Sequence, residues 1–256
     1  MTWCAVVLAA SRGKDDPMAK AFGVLHKCRI PVAGTPMIVR VVDALRQSGC
    51  ISSVAVSTES EEVFRDIIAN SDVVHSPSQA SAPASALYAI SEGCTYPVLI
   101  TTGDHALLTS EMVRHVCDTA SRLDADFSVG LATAETILGA YPETRRTFFR
   151  FGNDRVSGCN LFTVHSAAGL RVLERWRYME QNRKKPWKLV FSFGFWPLLR
   201  FVTHRLSLQQ AFYTVSAQLG VRVRPLLLPF AEAAIDVDKP ADKELAEAII
   251  KKRETR

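Results

Sequence analysis

Four short segments of this 256-residue chain carry groups able to handle phosphate or a hard metal ion. The first is Leu8-Ala9-Ala10-Ser11-Arg12-Gly13-Lys14, directly after an apolar run. Its small residues let the backbone come close to a ligand. Backbone N–H groups in such a turn cradle phosphate oxygens, and Arg12 and Lys14 add positive charge. An ordinary strand-to-loop turn with two solvated basic residues fits the same letters. The spelling is neither the phosphate loop G-x-x-x-x-G-K-[ST] nor the dinucleotide loop G-x-G-x-x-G. In the second segment Lys27 precedes a short extended piece, a turn at Gly34 and a helix begun at Pro36. A lysine there can offer a point charge to phosphate, although a lone lysine before a turn is more often a surface residue.

The third segment is a strand candidate, residues 98–102, that ends in Gly103-Asp104. That puts a carboxylate at the carboxyl edge of a sheet, where open α/β sheets bind ligands. A hard carboxylate suits Mg²⁺, which takes one or two carboxylates together with phosphate oxygens and water; a turn or a helix cap before Thr109 is the alternative. In the fourth segment Asp236 and Asp238 alternate with Ile235 and Val237. Alternation puts both carboxylates on one face of a short strand. Asp242 falls in the first turn of a helix begun by Pro240, where capping accounts for it.

The elements that must position these groups alternate. Strands are expected at residues 4–9, 53–58, 98–102, 126–132, 147–151 and 159–164. Helices are expected at 36–45, 61–68, 109–120, from Ser207 onward, and at 240–252. Such alternation implies an α/β fold with a Rossmann-like, mostly parallel central sheet flanked by helices. The second half is less regular. We therefore expect one domain, 1–256, with 167–219 as an insertion or lid.

Hydrophobic residues at 48% and charged residues at 22% exclude a disordered or collagen-like chain. No apolar run is long enough for a spanning helix, and the N-terminus lacks the basic region and apolar stretch of a secretory signal. Six scattered cysteines without a C-x-x-C pair indicate neither a zinc site nor a disulfide framework, so reduced thiols and a cytoplasmic location are expected. A net charge of +5 suits anionic substrates and does not argue for nucleic acid. The charge is uneven: residues 171–205 hold nine Lys/Arg against two Glu, together with Trp176, Trp187 and Trp196. Within it, the basic and aromatic stretch 183–199 suits peripheral membrane contact or a lipid-like anionic acceptor. The other reading is a lid or a homodimer contact that buries the aromatics, because Gly194 and Pro197 interrupt any long helix.

The order LAASRG…HKCRIPVAGTPMIVRVVDAL…VLITTGDHALLT…IDVDKPADKELA resembles the MobA-like NTP-transferase superfamily. These are GT-A-like nucleotidyltransferases that include molybdenum-cofactor guanylyltransferase, cytidylyltransferases and sugar-phosphate pyrophosphorylases. The likeness covers roughly 1–165 and 220–250. Leu8, Ala9, Ala10 and Gly13 match the family's opening L-A-[AG]-G-x-G, with Ser11 in place of its first glycine. Lys27, Gly34, Pro36, Met37 and Ile38 match the next motif, with His26 in place of a proline. Gly103 and Asp104 match G-D, with Ala106 where proline is common, and Asp238, Pro240 and Asp242 match the last motif. Residues 81–87 resemble the stretch that contacts base and ribose, which gives Ser85 a nucleotide-binding role. Residues 158–162 resemble the strand that faces the acceptor.

The resemblance implies transfer of an NMP group from an NTP, with CTP or GTP favoured, to a phosphorylated small-molecule acceptor. Pyrophosphate is released and Mg²⁺ is the cofactor. It implies Leu8, Ala9, Ala10, Ser11, Gly13, Ser85 and Gly103 as nucleotide-binding residues. Asp104 and Asp238 would hold the metal, with Asp236 as a further carboxylate. Lys27 would neutralise the α-phosphate, Arg12 the leaving pyrophosphate, and Asn160 would contact the acceptor. A degenerate, non-catalytic nucleotide-binding or scaffold module on the same fold is the alternative. A glycosyltransferase would want D-x-D after a mid-chain strand; Asp124-Ala125-Asp126 has that spelling at a helix–strand junction.

Overall fold

The computed structural model describes residues 2–11, 16–68, 73–181 and 195–255. Its strands are β1 (Trp3–Leu8), β2 (Pro31–Val32), β3 (Thr35–Pro36), β4 (Ile51–Thr58), β5 (Val73–Pro77), β6 (Val98–Thr102), β7 (Phe127–Thr133), β8 (Phe149–Phe151), β9 (Asp154–Val164) and β10 (Val223–Leu227). The main sheet runs in the order β10-β7-β9-β6-β1-β4-β5, with β8 paired to β9, while β2 and β3 form a small separate ribbon. β5, β4, β1 and β6 are mutually parallel, and so are β7 and β10. β9 is inserted antiparallel between β6 and β7.

β1 is central because Trp3 to Val7 are all buried, the apolar run expected of a strand covered on both faces. Trp3, Ala5 and Val7 pack with Ile38, Val41 and Leu45 of helix Met37–Gln47 and with Met112, Val113 and Val116 of helix Ser110–Arg122. On the other face Cys4 and Val6 pack with Ala86, Ala89 and Ile90 of helix Ala82–Ser91 and with Leu173 of helix Leu170–Gln181. Helix starts follow their caps. The Thr109 hydroxyl accepts the Met112 N–H at 3.2 Å, and Ser207 with Gln210 forms a capping box at the head of helix Leu208–Leu219.

Residues 61–68 depart from the expected helix. Only a 3-10 turn, Glu61–Val63, forms there. The Val63 carbonyl accepts from Arg29 Nη1 at 2.7 Å, and the same guanidinium grips Asp66 with two bonds of 2.8 and 2.6 Å. A long-range arginine has taken the carbonyl a helix would use. β5 and β10 are additions to the expected strands. The expectation for cysteine is corrected too: Cys4 and Cys94 form a disulfide with Cα atoms 5.6 Å apart. Cys4 is in register with Val98 at the head of β6, and Cys94 lies in the turn that leads into it.

The segment 167–219 includes helices Leu170–Gln181, Phe195–Val202 and Leu208–Leu219. Trp176 lies against Phe162 of β9, ring centroids 5.3 Å apart. Residues 182–194, with most of the expected membrane-contact stretch, lie outside the described residues. Among the described residues no helix is long and apolar enough to cross a membrane.

Candidate active site

Lys27, Asp104 and Asp238, 211 positions apart at the extremes, meet at the carboxyl edge of β1 and β6. The Lys27 ammonium lies 2.6 Å from Asp104 Oδ2 and 2.6 Å from Asp238 Oδ1. Each is delivered by local packing. Lys27 opens the 3-10 turn Lys27–Arg29, capped by His26 Nδ1 on the Cys28 N–H at 3.1 Å. Cys28 and Ile30 are buried, which fixes the turn against the core. Asp104 follows Gly103 at the end of β6, and the Gly103 N–H bonds to the Leu8 carbonyl at 2.9 Å.

Ile235 and Val237 are fully buried beside Ile30, Met37, Leu107 and Ala246. Asp236 and Asp238 are therefore turned to the other side, as alternation requires, although the segment is extended coil and not a strand. The Val237 N–H bonds to the Asp104 carbonyl at 3.3 Å, so the two acidic loops are tied by their backbones. Asp242 Oδ2 accepts the N–H groups of Asp238 and Lys239 at 3.1 and 3.0 Å. Its work is the capping expected of it, and that capping also holds Asp238 in place.

The opening loop passes the same edge. Leu8 ends β1, Ala9 is buried with its N–H on the Ser57 carbonyl at 2.9 Å, and Ala10 is exposed. The Ser11 N–H donates to the Glu59 carboxylate. Arg12 and Gly13 lie outside the described residues. Ser85 is buried, and its hydroxyl accepts the Gln79 N–H at 2.8 Å, which shapes the turn before its helix.

Gly103 has a packing reason. A Cβ there would lie 2.9 Å from Ala9 Cβ, 3.0 Å from Cys28 Sγ and 3.2 Å from Ile38 Cδ1. Gly103→Ala is expected to destabilise the fold by about 1–3 kcal/mol, the usual cost of overpacking. Urea denaturation of the variant beside the wild type reads it.

Asn160 occupies an irregular stretch of β9. Val129 pairs with Phe162 and Leu131 with Gly158, leaving Gly130 opposite three residues. Asn160 has φ 47°, a left-handed value that asparagine tolerates better than most residues. Gly130 is required because its Cβ would meet the Leu161 carbonyl at 2.8 Å. The bulge aims the Asn160 amide at Asp236 Oδ2, 2.7 Å away.

Charge is concentrated here. Burial would weaken the Lys27 ammonium, but Asp104 and Asp238 outweigh it and raise its pKa. Burial likewise pushes the Asp104 carboxyl up, and Lys27 more than reverses it, so Asp104 stays ionised below the usual carboxylate range. The Thr102 hydroxyl favours that charge without reaching hydrogen-bond geometry. Asp236 goes the other way: burial, and then the Asp104 charge, push it up to about 7. Beneath them the fully buried His105, its Nδ1 3.4 Å from Thr101 Oγ1, is pushed down to about 4 by burial and stays neutral.

Asp124-Ala125-Asp126, the other D-x-D spelling, sits at the start of β7, the opposite edge of the sheet. Arg222 binds both carboxylates there, and Asp126 also takes the Ser166 hydroxyl at 3.1 Å. That pair is a structural clamp.

Residues 5–137 match the family described as MobA-like NTP transferase domain. The chain belongs to that family. It is a nucleotidyltransferase on a Rossmann-like sheet. A structure described as a hypothetical transferase from Thermus thermophilus is 29% identical, with a TM-score of 0.80, covering 95% of this chain and 100% of that one. CMP:2-keto-3-deoxy-manno-octonic acid synthetase complexed with CTP is 13% identical, with a TM-score of 0.61 and coverage of 99% and 100%. The 2-C-methyl-D-erythritol 4-phosphate cytidylyltransferase from Thermus thermophilus is 15% identical, with a TM-score of 0.55 and coverage of 98% and 100%. The last two likenesses are of fold alone. Among curated proteins none matches significantly.

In this MobA-like NTP transferase three site neighbours carried no sequence signal. Arg146 Nη2 donates to the Asp236 carbonyl at 3.1 Å and reaches Asp242 Oδ1 at 3.4 Å. Glu59 holds the Ser11 N–H, and His105 underlies Asp104. Arg146 and Glu59 act over 90 and 48 positions, beyond any local pattern.

Proposed function

We propose that the chain transfers the NMP group of an NTP to a phosphorylated small-molecule acceptor, with CTP or GTP as donor and Mg²⁺ as cofactor. The observation that carries this is the Lys27 ammonium between Asp104 and Asp238, beside the backbone of the opening loop. An acceptor phosphate oxygen bonds to the α-phosphorus, the α–β bridging bond breaks in line, and pyrophosphate leaves with that electron pair. Positioning and charge neutralisation supply most of the rate.

The residues present fit a hard divalent cation. Asp104 Oδ1 and Asp236 Oδ1 are buried carboxylate oxygens with no hydrogen-bond partner among the described residues. No group of three His, Cys, Asp or Glu is preassembled as a metal site among those residues; Lys27 stands between two of the carboxylates. Asp104 and Asp238 would hold Mg²⁺ with Asp236 beside them, and the ion would draw charge from the α-phosphate oxygens. Lys27 moves its ammonium to the α-phosphate. Ser11 offers its N–H to phosphate in exchange for Glu59, and Arg12 would neutralise charge on the leaving pyrophosphate. Asn160, held by Asp236, presents its amide to the acceptor.

We read residues 1–256 as one domain and 167–219 as an insertion or lid within it, whose Leu173 and Trp176 pack against the sheet. A lipid-like acceptor would suit the basic stretch 183–199, and flotation with anionic vesicles reads that contact. Pyrophosphate release across CTP, GTP, UTP, ATP and dTTP, against sugar, alditol and lipid phosphates, tests the function. Release with one preferred pair supports it. No release with any pair, from protein that unfolds cooperatively, contradicts it.

A further inference from the structure

We propose that Lys27 is a built-in counter-cation. Without nucleotide its ammonium holds the carboxylate pocket against a divalent ion, and the triphosphate draws it away, so the metal enters with the nucleotide and not ahead of it. This rests on the nucleotidyltransferase reading of the same site.

The contacts lead there. Two of the three Lys27 N–H groups are committed to Asp104 Oδ2 and Asp238 Oδ1, both at 2.6 Å, and the side chain is only 15% exposed. A divalent ion needs those carboxylates at about 2.1 Å. Sharing them would bring ion and ammonium within roughly 4 Å, a strong repulsion away from bulk water. Two buried carboxylate oxygens remain without a hydrogen-bond partner among the described residues, Asp104 Oδ1 and Asp236 Oδ1, but an ion on the first would share its carboxylate with the ammonium. Arg146 does not neutralise that side fully, since its guanidinium is shared between the Asp236 carbonyl and Asp242. Only a new anionic partner for Lys27 relieves the conflict. A triphosphate is such a partner, and it brings the ion with it.

The test is a Mn²⁺ titration of the full chain without nucleotide, read by the electron paramagnetic resonance of the aqueous ion. Wild type, Lys27→Arg, Lys27→Met and Lys27→Gln are compared, each with its thermal unfolding curve. The expected result is weak uptake by the wild type and by Lys27→Arg, and at least ~10-fold tighter binding of one Mn²⁺ by the two neutral variants. Adding Asp104→Asn to Lys27→Met should abolish the gain. Folded neutral variants that bind Mn²⁺ no better than the wild type overturn the proposal. So does wild-type protein that takes up one Mn²⁺ per chain at low micromolar metal, an outcome that needs no variant. If the double variant keeps the gain, the ion sits elsewhere, and the counter-cation role and the metal assignment fall together. If the gain is present while pyrophosphate release is absent for every substrate pair, the counter-cation stands and the transfer reading falls.

Discussion

Alanine in place of Asp104 is expected to lower kcat/KM for pyrophosphate release about a thousand-fold, close to 4 kcal/mol of transition-state stabilisation. Two losses combine. The proposed cation site loses a carboxylate only 21% exposed, and Lys27 keeps only Asp238, whose side chain is 60% exposed. The second loss is pre-organisation: held by one solvated partner, the ammonium no longer starts its proposed move to the α-phosphate from one fixed position. Asp104→Asn, which keeps shape and removes charge, should lose nearly as much. Steady-state kinetics with circular dichroism separates this loss from unfolding. Activity within ten-fold of wild type in a folded Asp104→Ala protein would contradict the assignment.

Asp236→Asn is expected to move stability and activity in opposite directions. The folded-state pKa of Asp236 stands at about 7, above an unfolded value near ~3.9. The carboxyl therefore holds its proton more tightly in the folded chain. Its ionisation costs the fold nothing below the unfolded pKa, a growing amount between the two values, and the full amount above about 7. Removing the charge should stabilise the protein by about 1–3 kcal/mol at pH 8 and leave it nearly unchanged at pH 4. The asparagine carbonyl can still accept from Asn160 Nδ2. Turnover should fall at least ~10-fold, since the proposed metal and the proposed acceptor amide of Asn160 would lose a neighbouring carboxylate. Thermal unfolding at the two pH values, with kinetics at pH 8, checks both halves. Destabilisation at pH 8 would contradict the placement of a costly buried charge at this position.

The sequence made some of this legible for identifiable reasons. Residues 4–8 and 98–102 are short runs rich in apolar and β-branched residues followed at once by small or acidic residues, so their ends read as a sheet edge that binds ligands. Ile235 and Val237 needed burial, and that turned Asp236 and Asp238 to one side without any knowledge of the sheet. Local pattern failed where a distant residue decided the outcome. Val63, Phe64, Ile67 and Ile68 spell a helix face, yet Arg29, more than thirty positions upstream, takes the Val63 carbonyl and stops it. β10 contains Pro225, which argues against a strand, but it lies at the sheet edge where a missing N–H is tolerated. Asn160 was singled out as an acceptor-side residue only through family likeness; its left-handed φ depends on Gly130 in a neighbouring strand.

Anomalous scattering from a crystal grown with Mn²⁺ and a non-hydrolysable CTP or GTP analogue measures the central assignment directly. One manganese peak about 2.1 Å from carboxylate oxygens of both Asp104 and Asp238, with Lys27 Nζ moved onto the α-phosphate, is the expected result. A bound nucleotide whose metal touches neither aspartate, with Lys27 still bridging the pair, would contradict it.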